Sequence, residues 1–146
     1  MDYFITHIQS LFVYKSIVVL LVGIAIACAV VTVANLTDFE KDRIFYPTVL
    51  IVIASYYVLF ALISGEAIIK ESLVALLFFI VAMIGYYRCF ILIGIALILH
   101  GLFDLVHSMT INNSGIPNWW PLFCLGVDIV LGIRVIYLFH YKNYYR

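Results

Sequence analysis

The chain has 146 residues, 66% of them hydrophobic and 11% charged, with a formal net charge of zero and a mean hydropathy of +1.18. A soluble domain carries about a quarter charged residues and about half apolar ones, so the composition excludes an ordinary water-soluble globule and indicates an integral membrane protein. With no net positive charge and no Lys/Arg cluster, nucleic acid is excluded as a partner, and the first partner is the lipid bilayer itself.

The opening MDYFITHIQSLFVYK is aromatic and mixed, and the apolar run after Lys15 is too long for a signal-peptide core, so no removable leader is expected. A bilayer core of about 30 Å requires about 20 apolar residues per helix, and five such runs follow. The first is 16–36, closed by the charged turn TDFEKDR. The second, 46–64, has Pro47 in its first turn, where a missing N–H costs nothing. The third covers 71–87 and the fourth 89–108, with little more than Arg88 between them, so these two form a tight antiparallel hairpin. The loop INNSGIPNWW, rich in turn formers, leads to the fifth, 121–139. No repeat or second domain interrupts this pattern. The expected architecture is all-α, one integral-membrane domain over 1–146 with five transmembrane helices.

Lys and Arg in short loops set orientation. The N-terminus, the 2–3 loop and the 4–5 loop share one side, which holds only Lys15 and Lys70. The opposite side holds Lys41, Arg43, Arg88, Lys142 and Arg146, and Arg134 can snorkel toward it. Five against two predicts a multi-pass protein of the plasma (inner) membrane with its N-terminus outside and its C-terminus in the cytoplasm. Trp119 and Trp120 then mark the outer interface, and Tyr86, Tyr87, Tyr141, Tyr144 and Tyr145 the inner one.

Span four ends in HGLFDLVHS. At 3.6 residues per turn, His100, Asp104 and His107 project at about 0°, 40° and −20°, a single polar stripe on an otherwise apolar helix. An ionisable residue in a span costs about 2.5–3.5 kcal/mol even on the lenient insertion scale. Asp128 in span five raises the same problem at a depth similar to His100, and Glu71 opens span three near the level of His107. Faced inward, these five side chains converge in the outer half of the bundle. Two imidazoles with up to three carboxylates form a mixed N/O set suited to zinc, iron or manganese and poorly suited to copper(I). The expected ligands of a divalent metal are His100, Asp104, His107 and Asp128, with Asp128 also available as a catalytic base and Glu71 as a proton-transfer group. A purely structural alternative has the same residues hydrogen-bonding one another and joining two helices.

The remaining polar residues are read more simply. Glu66 and Lys70 are spaced for an i,i+4 surface pair, and His7 and His140 lie near the ends as interfacial residues. Tyr56 and Tyr57 are packing residues, one of whose hydroxyls could reach the polar site. Asn112-Asn113-Ser114 and Asn35-Leu36-Thr37 match the glycosylation sequon, although nothing else suggests a glycoprotein. Cys28, Cys89 and Cys124, an odd and scattered set, are small apolar fillers rather than a disulfide framework or a zinc-thiolate site. Gly94 and Gly101 permit close helix contact.

The stretch SG…E…GYYR…ILIGIALILHGLFDLVHS…GIPNWWP…C…VD resembles a family of small bacterial integral-membrane proteins, domain of unknown function 6010. The resemblance runs from about Ala54 to the end and leaves out the first span and the TDFEKDR turn. It implies that Glu71, His100, Asp104, His107 and Asp128 are the family's recurring polar positions. Family members carry adjacent histidines at the end of the fourth span, whereas here His107 is followed by Ser108, one ligand fewer. The family has no established activity, so the resemblance supports a site and not a reaction. A looser similarity, of chemistry only, links the chain to membrane hydrolases such as alkaline ceramidases and adiponectin receptors, which hold zinc with His and Asp on transmembrane helices.

Together these readings point to a metal-dependent membrane enzyme, hydrolase-like, acting on a lipid or lipid-linked substrate. A proton or metal-ion transporter or sensor, which with five spans requires a homo-oligomer, is the alternative from another class. A structural subunit without metal is the third.

Overall fold

The computed structural model describes residues 2–142, with side chains from Val13 onward. Tyr144, Tyr145 and Arg146, expected at the inner interface, lie outside the described residues, as does the side chain of His7.

Apolar composition without an internal proline lets the first helix, α1 (Asp2–Leu36), run unbroken for 35 residues. At 1.5 Å per residue it is about 52 Å long, well beyond the hydrocarbon core, and its membrane-crossing part is Val13–Leu36. The helix thus begins well before the expected boundary near Ser16, because nothing among the preceding residues breaks it. Asp38 turns the chain in the left-handed region at φ 62°, and a single 3-10 turn, Phe39–Lys41, follows. α2 (Phe45–Ser64) ends at Gly65, whose φ of 75° suits glycine and whose N–H bonds the Ala61 carbonyl. α3 (Ile68–Tyr87) and α4 (Ile91–Thr110) are joined by three residues, the tight hairpin expected. α5 (Trp120–Tyr137) carries Pro121 in its first turn and finishes in a five-residue π-helical end, Leu138–Lys142. Among the described residues there is no strand, and all five helices are long and apolar enough to cross a membrane.

α5 organises the bundle. It packs on α4 along one side and α1 along the other, while α2 pairs with α3 and α3 with α4. Membrane helices gain little from apolar contact alone, so close backbone approach matters. A Cβ added at Gly94 would stand 2.8 Å from the Gly132 carbonyl, and one at Gly132 would stand 2.7 Å from that of Gly94. On the other flank, a Cβ at Gly126 would meet the Leu20 carbonyl at 2.6 Å. The spine of the molecule is therefore glycine against backbone, as expected for Gly94 and extended here to both faces of α5.

This arrangement puts the N-terminal part of α1, the α2–α3 turn and the α4–α5 loop at one face, hereafter the loop face. The opposite face is filled by a solid core of Tyr46, Leu50, Phe90, Ile93, Leu97 and Leu131, each at most 1% exposed. Glu40, from the 3-10 turn, is buried there and accepts two short hydrogen bonds from Arg134, at 2.7 Å to Oε1 and 2.8 Å to Oε2. Arg134 also reaches Asn35 at 3.3 Å. Arg134 thus reaches toward this side as expected, and its partner there is Glu40.

Candidate functional site

The stripe on α4 faces inward. His100, Asp104 and His107 are at most 2% exposed, and so are Glu71 and Asp128. All five expected residues are therefore buried in the bundle, yet they do not form one group.

The deeper cell consists of His100, Asp104 and Asp128. His100 Nδ1 lies 2.9 Å from Asp128 Oδ2 and 3.7 Å from Asp104 Oδ2. One ligand atom from each of the three residues falls within 4.8 Å of the others. Ligands held 2.0–2.2 Å from a tetrahedral zinc stand about 3.3–3.6 Å apart, so these separations bracket what a single ion requires. Gly101 makes the approach feasible, since a Cβ there would sit 3.0 Å from Asp128 Cβ and 3.2 Å from Leu125 Cα. A side chain at that position would push Asp128 away from His100.

Both oxygens of Asp104 and Oδ1 of Asp128 are buried without a hydrogen-bond partner, as is the Tyr57 hydroxyl. The Tyr57 hydroxyl and the Cys124 thiol face Asp104 from α2 and α5. One nitrogen and two carboxylates gathered within 4.8 Å form a mixed N/O donor set of the kind that could hold a divalent cation.

The shallower cell belongs to His107. Its Nε2 lies 3.0 Å from Glu71 Oε1 and 3.1 Å from Oε2. Asn113 Nδ2 donates to Glu71 Oε1 at 2.9 Å, and Asn113 Oδ1 accepts from Ser64 Oγ at 3.1 Å. The expected four-ligand set thus divides, with His107 held by Glu71 rather than gathered with His100. The physical reason is depth. Seven residues of helix separate the two imidazoles by about 10 Å along the axis, whereas two ligands of one ion lie within about 4 Å of each other. The Tyr57 ring bridges the cells, with its centroid 4.5 Å from that of His107 and 6.0 Å from that of His100.

Above His107 the loop face opens into a cavity of about 400 Å³ whose lining includes His107, Ser108, Asn112, Asn113, Ser114 and Asn118. Below His100 lies the sealed apolar core. The shallower cell therefore opens toward the loop face, and the deeper cell lies between it and the apolar core.

Sequence reasoning missed Asn113, hidden among turn formers, and gave Cys124 no more than a filler's part. Tyr57, expected as a packing residue with a hydroxyl in reach of the site, lies against both imidazoles. Glu66 does not use its carboxylate on the i,i+4 pair with Lys70. It accepts the Ser114 N–H at 2.9 Å and ties the α2–α3 turn to the α4–α5 loop. Cys28 and Cys89 are exposed and Cys124 is buried, all with free thiols. No family model, no curated protein and no solved structure matches the chain.

Proposed function

We propose that the protein is a metal-dependent membrane enzyme of hydrolase type, with a divalent ion, zinc or else iron or manganese, held by His100 Nδ1, Asp104 and Asp128. The observation that carries this reading is the group of three ligand atoms, one each from buried His100, Asp104 and Asp128, within 4.8 Å of one another. A His-and-two-carboxylate set leaves positions open for water and substrate, as catalytic sites do and closed structural sites do not. A bound divalent ion would supply Lewis acidity and, at neutral pH, a nucleophile drawn from water.

The chain's own residues divide the remaining tasks. Asp128 fixes the His100 ring through Nδ1 in the absence of an ion, and its second oxygen is free to orient or accept a proton from water. The Tyr57 hydroxyl, beside Asp104, would be the donor for a developing oxyanion. His107, oriented by Glu71 and steadied by Asn113, lines the cavity and is the group best placed to pass protons between solvent and the deeper cell. The sealed core beneath His100 favours this one-sided enzyme over a transporter, which needs a path to both faces. We further propose that the loop face is the outer one, which places the N-terminus outside and the C-terminus in the cytoplasm of the plasma membrane. The substrate is a lipid or lipid-linked amphiphile.

Elemental analysis of the purified protein tests the reading. We expect one divalent ion per chain in the wild type, loss of it in His100→Ala, and retention in His107→Gln. A metal-free wild type, or full occupancy in His100→Ala, would overturn it.

A further inference from the structure

α1 and α2 do not close the bundle. α1 lies on α5 and α2 on α3, and between them an apolar cleft of about 520 Å³ faces the bilayer. Val22 and Ile53 line its walls, Cys124 and Val127 its floor, and Trp119 and Trp120 its rim. Past Ile26 and Ile53 it continues into two further apolar hollows of about 370 and 350 Å³ toward Phe39 and Phe45. The polar cavity over His107 begins on the other side of the same short segment. Asn118 and Pro121 line the cavity, whereas Trp119 and Trp120 line the cleft.

A polar chamber and an apolar trough that share one rim have the form of a site for an amphiphile. The chamber's chemistry narrows its class. No Lys or Arg lines either space. The Glu71 carboxylate lies beneath the chamber, and Glu66 occupies the Ser114 N–H at its edge. A phosphate or carboxylate head would meet no cation and would face acidic groups. Asn and Ser side chains offer both donors and acceptors, which matches hydroxyl or amide groups. The cleft also suits a chain better than a helix, because ten residues of helix 10 Å across displace about 1,200 Å³.

We propose that the chamber and cleft bind one single-chain amphiphile with an uncharged head group bearing hydroxyls or an amide. The head lies over His107 and the chain runs down the cleft between α1 and α2. The proposal names the substrate class for the enzyme proposed above and rests on that reading for turnover, though not for binding. The head-to-chain junction crosses the rim at Asn118–Pro121, and the Cys124 floor backs directly onto Asp104.

The two tryptophans of the chain both line the cleft, so their fluorescence reports its occupancy. The full chain, in phosphatidylcholine nanodiscs, is titrated with a monoacylglycerol brominated in mid-chain and with a lysophosphatidic acid brominated at the same carbons. The expected result is saturable quenching by the monoacylglycerol, competed by its unbrominated form, with about tenfold weaker binding of the phosphate-bearing probe, as one unfavourable charge contact implies. Val22→Phe, which fills the cleft, should abolish the saturable component. Asn118→Lys, in the exposed loop, should leave the cleft intact and narrow or reverse the preference. Equal and non-saturable quenching by both probes, preference of the wild type for the phosphate, or no quenching would each overturn the proposal. The titration is repeated after chelation. Binding that survives chelation separates this site from the metal reading, whose failure is read by elemental analysis alone.

Discussion

At the scale of single residues, Gly101 decides more than its lack of a side chain suggests. It is the gap through which Asp128 reaches His100, and the nearest atoms to an added Cβ belong to Asp128 and Leu125. Gly101→Ala should cost about 1–3 kcal/mol through overpacking, and it should lower the affinity of the deeper cell for a divalent ion by displacing one of its three donors. Gly65→Ala is the matched control. Its φ of 75° penalises an L side chain by about 1–2 kcal/mol, but nothing lies within 4 Å of the added carbon. Thermal melts should show both variants weakened, and metal content should fall only in the first. Equal metal retention would show that the glycine serves packing alone. His107 carries the complementary lesson. Its helical angle places it on the stripe with His100 and Asp104, and angle is what a sequence gives most readily. Rise along the axis, equally available from the numbering, separates it from His100 by about 10 Å and brings it to Glu71.

At the scale of elements, the site depends on how two loops are tied. The α2–α3 turn and the α4–α5 loop are joined by Glu66 to the Ser114 N–H and by Ser64 to Asn113, and Asn113 in turn holds Glu71. The Ser114 N–H holds the exposed Glu66 carboxyl below its ordinary range. A carboxyl depressed in the folded state contributes stability above its unfolded value, about 4.3, and loses it as pH falls through the folded value. Acidification below about 4 should therefore loosen the loop, seen as faster amide exchange around Ser114 after correction for intrinsic rates. Glu66→Gln should remove that pH dependence, and an unchanged profile in the variant would refute the link. Hydropathy identified the five spans and the α3–α4 hairpin because a bilayer imposes length and composition on any helix that crosses it. It could not identify these ties. Asn113 looks like one turn former among several, and the Glu40–Arg134 pair joins positions 94 residues apart with no local pattern to announce it.

At the scale of the whole molecule, the distribution of polar and apolar matter is asymmetric. The loop face opens over His107, while the other face is closed by fully buried aliphatic and aromatic side chains. Cys89, exposed in the α3–α4 turn at the closed face, makes the sidedness measurable without an engineered label. With the orientation proposed above, a membrane-impermeant maleimide should leave Cys89 unmodified in intact cells and modify it once the membrane is permeabilised. Labelling in intact cells would invert the orientation.

The two helices at the extremes of the chain lean on each other, and this has a consequence for biogenesis. α1 finds its backbone contacts on α5 through Gly23 and Gly126, and the turn that follows α1 is clasped by Arg134. Because α1 precedes α5 in the chain, it must therefore wait in the bilayer, undocked, until α5 has been inserted. Until then neither Asp128 nor the wall that shields it is present, so the cell of His100, Asp104 and Asp128 is completed only with the insertion of α5.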